Sequence, residues 1–538
     1  MLTSPFVIPG LLLAGALITY LIIVLQPRFA NYSPPAVSGL VLLLWFIMGR
    51  RPPQTFSYGN GGQSEWLAGW RWVFDKTIWP LVGILLFFIL ALTIFRLGRS
   101  LSSAAAEGNS RHLHRAQWQP VILLLLSAAG VMVLGAASTM TFIMSWSLFA
   151  LLWTLFLLSA VTESIALPTM VPRLFWILVP LFFAGIAVAA QPLGVDLLDF
   201  SNWPGIAIVA VLLTVMAQMG VLPFIGWRPR KEPMAIDGGA VLQLMPALAG
   251  AGLLSRLLAT GHYDATIVLL LTLMALLSIV QGLRRIWMYG QTSASLPADL
   301  ALVLTSLAFL VGIWTGTEAF IAAVRLFVFA STIFFFLEYL PLSRTRWWRA
   351  IAPLFALIAM VGFPLTVGFL ALTAIYDVWL VNNRFLFILV LVALWLPLLT
   401  ALLVKIRRSM SLSPETADDG KDILPMEAGQ IVSALGLIMT FGPNVGEIQM
   451  FIWLILFVVG VGAYLLSRYM GEAQTIVATV NTAFKPGQQQ LGRAWQAAGR
   501  FGEQVALILG ESAQILEGEQ GLLWLAAFLA ILLLASVI

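Results

Sequence analysis

The chain has 538 residues, of which 60% are hydrophobic and only 10% are charged. A soluble domain carries about 25% charged residues, so this composition excludes a soluble globule and a disordered protein. The sequence contains no cysteine, which excludes a disulfide scaffold and cysteine-ligated metal or iron–sulfur sites. The formal net charge of +5 does not indicate a nucleic-acid partner, because the basic residues are spread over many short loops.

Long apolar segments dominate the chain. A membrane-spanning helix needs about 20 predominantly apolar residues, and the continuous apolar runs do not alternate as they would in a β-barrel. We therefore predict an all-α polytopic membrane protein. The candidate spans are about 5–27, 33–49, 77–95, 117–136, 138–161, 174–191, 204–225, 238–258, 265–283, 297–315, 317–340, 351–374, 385–404, 425–442, 448–467 and 520–538.

The positions of Lys and Arg predict the orientation. If the N-terminus is placed outside, most of the 29 Lys and Arg residues fall in inner loops, as the positive-inside rule requires. We expect a multi-pass protein of the plasma (inner) membrane with its N-terminus outside, in contact with the lipid bilayer.

Two polar segments stand apart from the spans. Residues 50–76 contain Pro-Pro, Asn-Gly-Gly and alternating aromatic residues, a pattern typical of an external hairpin or turn-rich loop. Residues 471–518 are less apolar, and from 489 to 509 their apolar positions recur at helical spacing. This pattern predicts an amphipathic helix that lies along the cytoplasmic face or along another subunit; the alternative is a solvated linker.

Two spans carry a proline beside small residues. The seventh span contains Pro223 in VLPFIG, and the twelfth contains Pro364 in GFPLTVGF. Proline removes a backbone hydrogen bond and breaks a helix. The two spans are five helices apart and so cross the membrane in opposite directions, which indicates inverted repeats. Kinks at proline are also common in membrane helices, and one alone would mean little.

These features predict six regions. Three spans with the external loop come first and two five-helix repeats follow, and we expect about fourteen spans in the core. Two further spans, the amphipathic lateral helix and a terminal span complete the chain. The predicted boundaries are 1–116, 117–258, 265–406, 407–470, 471–518 and 519–538.

Five motifs follow one another along the chain: FIMSWS (142–147), MAQMGVLPFIGW (216–227), EPMAIDGGAVLQ (232–243), AGAGLLSR (249–256) and GFPLTVGF (362–369). In this order they resemble the motifs of the antiporter-like membrane subunits of respiratory complex I, a family that also includes Mrp-type antiporter and membrane-bound hydrogenase subunits. The resemblance implies a subunit that works among other membrane subunits. The lateral helix with its last span is similar to the C-terminus of the longest member.

The chain departs from this family at the positions of the proton path. The family uses a Glu on the fifth span, a Lys on the seventh, basic residues on the eighth and a Lys or Glu on the twelfth. None of the matching residues can change its charge: they are Ser147, Gln218, Gln243, Ala249 and Leu372. A Lys on the family's eleventh span falls near Ala330.

Arg325 is the charged residue nearest to the centre of a span. A central Arg costs about 2.5–3.5 kcal/mol on insertion scales, so it needs a partner or a wet cavity. Glu318, seven residues earlier on the same helical face, is a candidate partner. Because Arg hardly deprotonates, Arg325 does not carry a proton itself. We expect a structural contact between helices; the alternative is that Arg325 gates or anchors a chain of waters.

Three functions stay open at this point. The first is a membrane-arm subunit of a complex I-like assembly with a degenerate proton path and a structural or coupling role. The second is an active proton or sodium translocating subunit, including one coupled to inorganic-carbon uptake. The third is a stand-alone secondary transporter. The sequence predicts no catalytic site, metal or cofactor of its own, and it leaves open whether the chain belongs to an NADH:quinone oxidoreductase-like translocase.

Overall fold

The computed structural model describes residues 6–26, 29–49, 55–58, 70–104, 110–160, 167–190, 200, 203–222, 236–260, 265–289, 296–340, 347–411, 424–438, 452 and 454–467. By its internal contacts the chain divides into two compact units, Met1–Ser164 with Ile177–Ser467 and Ile165–Trp176 with Arg468–Ile538. Of the second unit, only the first turns of one helix belong to the described residues.

The described chain is almost entirely helical. The helices are α1 (Val7–Leu25), α2 (Ser33–Met48), α3 (Ile78–Ala104), α4 (Ser110–Gly135), α5 (Thr139–Ala160), α6 (Leu167–Ala189), α7 (Gly205–Met219), α8 (Ile236–Thr260), α9 (Ala265–Tyr289), α10 (Leu296–Trp314), α11 (Thr317–Leu337), α12 (Ile351–Val361), α13 (Val367–Val381), α14 (Phe385–Ser411), α15 (Leu424–Leu435) and α16 (Leu454–Ser467). A short 3₁₀ helix, Trp347–Ala350, precedes α12.

These helices confirm the predicted fold class. Within the described residues, nine helices are long and apolar enough to cross a membrane, and several shorter apolar helices accompany them. Helices suit this setting because they satisfy all their backbone hydrogen bonds internally. The predicted last span and the lateral helix at 471–518 lie outside the described residues.

Three helices form the interior of the described bundle. In α8 and α10, 94% of the residues in the spanning window are buried, and in α11 the share is 89%. In α1 it is only 39%, because one face of that helix presents leucine, isoleucine and valine to the surroundings. Helices α8, α10 and α11 are therefore the most enclosed of the long spans that the structure describes.

The hairpin predicted in segment 50–76 is present, and its position outside the membrane stays a prediction. Strands β1 (Thr55–Tyr58) and β2 (Trp70–Val73) pair antiparallel, with Thr55 opposite Val73. The backbone N–H of Ala137 donates to the Arg71 carbonyl at 3.0 Å. Arg256, near the end of α8, donates from Nη2 to the carbonyls of Val73 at 3.0 Å and Leu134 at 2.9 Å. The hairpin is thus tied to the α4–α5 junction and to α8.

The twelfth predicted span is broken, as its sequence indicated. The break separates α12 from α13 at Gly362, whose φ is +78°. Gly362 N–H donates to the Ala359 carbonyl, and Phe363 N–H donates to the Ile358 carbonyl. This pair of bonds is the Schellman ending of a helix, which needs a left-handed residue that glycine supplies most readily.

Helix α7 ends in the same way. Gly220 has φ +69°, its N–H donates to the Ala217 carbonyl, and Val221 N–H donates to the Met216 carbonyl. The two helices singled out by their prolines therefore share one termination geometry. The division of the core into two inverted repeats stays a prediction.

Candidate functional site

One of the predicted site residues, Gln218, lies at the end of α7. Gln218 lies in the last turn of this helix, one residue before Met219 and the left-handed Gly220, and is 9% exposed. Gly250 of α8 faces it: a Cβ at Gly250 would lie 3.0 Å from the Gln218 Cβ. The absence of a side chain at Gly250 lets α8 approach the broken end of α7 closely.

The chain beyond the break is held by a neighbouring helix. Leu222 N–H donates to the Oγ of Ser278 on α9 at 2.9 Å. The same hydroxyl donates to the Met274 carbonyl at 2.8 Å. Ser278 therefore satisfies a backbone donor that the end of α7 would leave without a partner at bilayer depth. Pro223, the next residue, lies outside the described residues.

Gln243 lies on the same face of α8, two turns before Gly250. It is 6% exposed, and its Oε1 has no hydrogen-bond partner within the described part of the chain. Seven residues of helix rise separate Gln243 from Gly250, about 10 Å along the axis. The two glutamine amides are therefore buried at different depths rather than side by side.

The remaining family positions hold no polar interior group. Ala249, Ala330 and Leu372 are buried aliphatic residues on α8, α11 and α13. Ser147 on α5 is exposed, whereas Trp146 beside it is buried. Ser147 consequently points away from the interior that contains Gln218 and Gln243.

Arg325 binds backbone carbonyls. Its Nε and Nη2 donate to the Gly436 carbonyl at 3.2 and 3.0 Å, and Nη2 also donates to the Ile438 carbonyl at 2.9 Å. Glu318 is exposed in the first turn of α11, and no ion pair joins it to Arg325 within the described structure. The expected Arg325–Glu318 pairing is therefore absent.

The carbonyls that Arg325 binds follow the end of α15. The sequence predicted a span to about residue 442, but the helix ends at Leu435. Of the carbonyls that follow, Arg325 binds those of Gly436 and Ile438, and Val367 N–H donates to that of Leu437 at 3.0 Å. Thr366 and Ile438 form an antiparallel bridge. The segment after α12 and the segment after α15 thus satisfy part of each other's backbone hydrogen bonding. Pro364 lies half-buried beside them.

Charged side chains avoid the middle of the nine long spans. Within the described spans, every charged residue except Arg325 lies within three residues of an end of its span. The ion pairs observed between described residues follow the same rule: Arg285–Asp299 at 3.8 Å and Lys405–Glu338 at 3.2 Å both lie at helix ends. Arg349 and Glu427 pair at 2.8 Å near the starts of α12 and α15.

Of three interior polar groups, sequence reasoning missed Ser278 and Ser331 and set Tyr376 aside as a poor proton carrier. Ser278 caps the break after α7, and the hydroxyls of Ser331 and Tyr376 are buried without a hydrogen-bond partner among the described residues. Hydroxyl side chains are common in membrane helices and usually bond to their own backbone. Only the tertiary contacts distinguish these three from the rest.

The fold and this site define a multi-pass, all-α membrane protein whose broken helices enclose neutral polar side chains. No family model and no curated protein matches the chain. Solved structures do share its fold. A chain of the Mrp complex from Dietzia sp. DQ12-45-1b matches with TM-score 0.64 and 16% identity, over 90% of this chain and 59% of that one.

Two respiratory assemblies show the same fold. A chain of the membrane-bound sulfane sulfur reductase, an archaeal respiratory membrane complex, matches with TM-score 0.62 and 13% identity over 80% of this chain and 74% of that one. A chain of respiratory complex I from Thermus thermophilus matches with TM-score 0.52 and 14% identity over 87% and 98%. The present chain spans only 59% of the Mrp chain, and identities this low establish the fold alone.

Proposed function

We propose that the chain is a membrane-arm subunit of a complex I-like or related energy-converting assembly, that its own ion path is degenerate, and that its role is structural or supports coupling in neighbouring subunits. The fold similarity to chains of three multi-subunit membrane complexes supports the assembly part of this proposal. The identities of the neighbouring subunits are a matter for experiment.

One observation supports the degenerate path: no Asp, Glu, His or Lys side chain lies in the middle of the nine long spans described, where Arg325 is the one charged residue. A proton relay needs groups whose pKa values can be tuned across the working range. Glutamine amides bind through hydrogen bonds but do not titrate. Arg stays protonated, and the Arg325 guanidinium is already engaged by carbonyls after α15.

The proposal is tested on the purified assembly. We expect other membrane subunits to copurify in mild detergent, and a flavin or iron–sulfur protein, a hydrogenase or a carbonic-anhydrase-like protein among them would identify the assembly.

In proteoliposomes, Gln218→Leu and Gln243→Leu should leave proton and sodium flux per assembly unchanged. Loss of flux from an intact variant assembly would instead show an active translocator, and a chain that purifies alone and moves a solute would be a secondary transporter.

We also propose that the N-terminus lies outside and that the lateral helix lies on the cytoplasmic side. The sequence has no cysteine, so single cysteines report the side directly. A membrane-impermeant maleimide should label Ser57→Cys in the hairpin of intact cells. It should label Ser409→Cys near the end of α14 only after permeabilisation, and the reverse pattern would invert the topology.

A further inference from the structure

Helices α8 and α11 each carry a buried polar atom that has no partner in the described part of the chain. Gln243 is 6% exposed and Ser331 is 0% exposed. Neither the Gln243 Oε1 nor the Ser331 Oγ has a hydrogen-bond partner in the described part of the chain. A buried polar group left unsatisfied costs about 1–3 kcal/mol, so two at one place need an explanation.

The Ser331 hydroxyl differs from its neighbours in the core. Thr332 donates to the Val328 carbonyl at 2.7 Å, and Ser306 of α10 donates to the Leu302 carbonyl at 2.8 Å. These bonds to the residue four positions earlier are the usual way a hydroxyl is satisfied in a membrane helix. Ser331 makes no such bond within the described residues, so its hydrogen is available to an acceptor elsewhere.

Contacts at both ends of the helix pair set the register. A Cβ at Gly239 of α8 would lie 3.5 Å from the Phe335 ring of α11. At the other end, a Cβ at Gly312 of α10 would lie 2.8 Å from Phe320 of α11 and 3.2 Å from Leu254 of α8. The two helices are therefore antiparallel, with Gly239 level with Phe335 and Leu254 level with Phe320.

This register places the two unpartnered residues opposite each other. Four residues forward from Gly239 on α8 is Gln243, and four residues back from Phe335 on α11 is Ser331. Eleven residues further in each direction leads to Leu254 and Phe320, whose side chains both lie beside Gly312 of α10. The neighbouring residues on both helices, including Leu242, Leu244 and Val328, are buried and apolar.

We propose that Gln243 and Ser331 bind an ordered internal water between α8 and α11. The water donates one hydrogen to the Gln243 Oε1 and accepts the hydrogen of the Ser331 hydroxyl, which satisfies both groups at once. Buried waters are held by two to four such partners. A desolvated hard cation needs about six or more oxygen ligands, and this pair supplies only two, which favours a neutral water as the ligand. The inference does not depend on whether the chain moves ions.

The test combines a structure with a thermodynamic cycle. A structure of the purified assembly that resolves ordered waters should show a density peak within hydrogen-bond distance of both side chains. Ser331→Ala and Gln243→Leu should each lower the thermal midpoint, and the double variant should lose less than the sum of the two, because either change alone releases the water. Ser306→Ala is the matched control, since its hydroxyl bonds its own helix, and its effect should add to that of Gln243→Leu.

Three results would overturn the proposal. One is the absence of a density peak at this position. Another is direct contact between the Gln243 amide and the Ser331 hydroxyl. The third is a Ser331→Ala variant that is as stable as the parent or more stable, with effects additive to those of Gln243→Leu, because removal of an unsatisfied hydroxyl from a dry site is favourable.

Discussion

Arg325 stabilises the fold, and its replacement by methionine tests that role. Methionine keeps much of the side-chain volume of arginine but removes the charge and all the donors. The Gly436 and Ile438 carbonyls, which now receive three N–H bonds, would have none from this side chain. Each carbonyl left unsatisfied at bilayer depth costs about 1–3 kcal/mol.

Removing the positive charge of Arg325 has the opposite effect on stability from removing its hydrogen bonds. Removing a central Arg recovers about 2.5–3.5 kcal/mol on insertion scales, whereas the two carbonyls together lose about 2–6 kcal/mol. At the middle of both ranges the difference predicts that Arg325→Met destabilises the protein by about 1 kcal/mol, and at their extremes by no more than about 3.5 kcal/mol. Arg325→Gln should cost less, because its amide can still donate to one carbonyl.

The assay is the thermal midpoint of the purified assembly in detergent, measured beside proton and sodium flux in proteoliposomes. Arg384→Met is the matched control, because Arg384 is exposed in the turn between α13 and α14, and surface changes stay within about 0.5 kcal/mol. Lower stability with unchanged flux is the expected result. An Arg325→Met variant of undiminished stability that has lost flux would refute the reasoning, since the guanidinium would then serve the ion path and not the fold.

Three further predictions follow from single contacts. Gly362→Ala should destabilise by about 1–2 kcal/mol because Gly362 has φ +78°, whereas Gly185→Ala, with open space around it, should be neutral or stabilising in the same melt. Ser278→Ala should lower the free energy of unfolding by about 1–3 kcal/mol, because the backbone N–H after α7 loses its acceptor; an unchanged midpoint would contradict this. Lys405→Ala should cost only about 0.2–1 kcal/mol, because the Lys405–Glu338 pair is partly exposed, and the loss should shrink as salt is added.

The sequence by itself determined the fold class, the order of the helices and the hairpin between α2 and α3. These follow from local properties: an apolar run of sufficient length spans a membrane, and turn residues between aromatic strands form a hairpin. The break at Gly362 was also visible, because glycine and proline act on their own backbone. The sequence also showed that glutamine stands at positions 218 and 243, where the family has titratable residues. Both glutamines are buried.

Only the tertiary structure decided which groups meet. The apolar composition predicted a span that continues to about residue 442, but α15 ends at Leu435. The carbonyls that follow accept hydrogen bonds from Arg325 and from the Val367 N–H. The sequence suggested Glu318 for Arg325, because spacing along one helix cannot foresee carbonyls more than a hundred residues away. The proposed water site between Ser331 and Gln243 likewise joins residues that are distant in the sequence. It depends on the antiparallel register of α8 and α11, which contacts at Gly239 and Gly312 indicate.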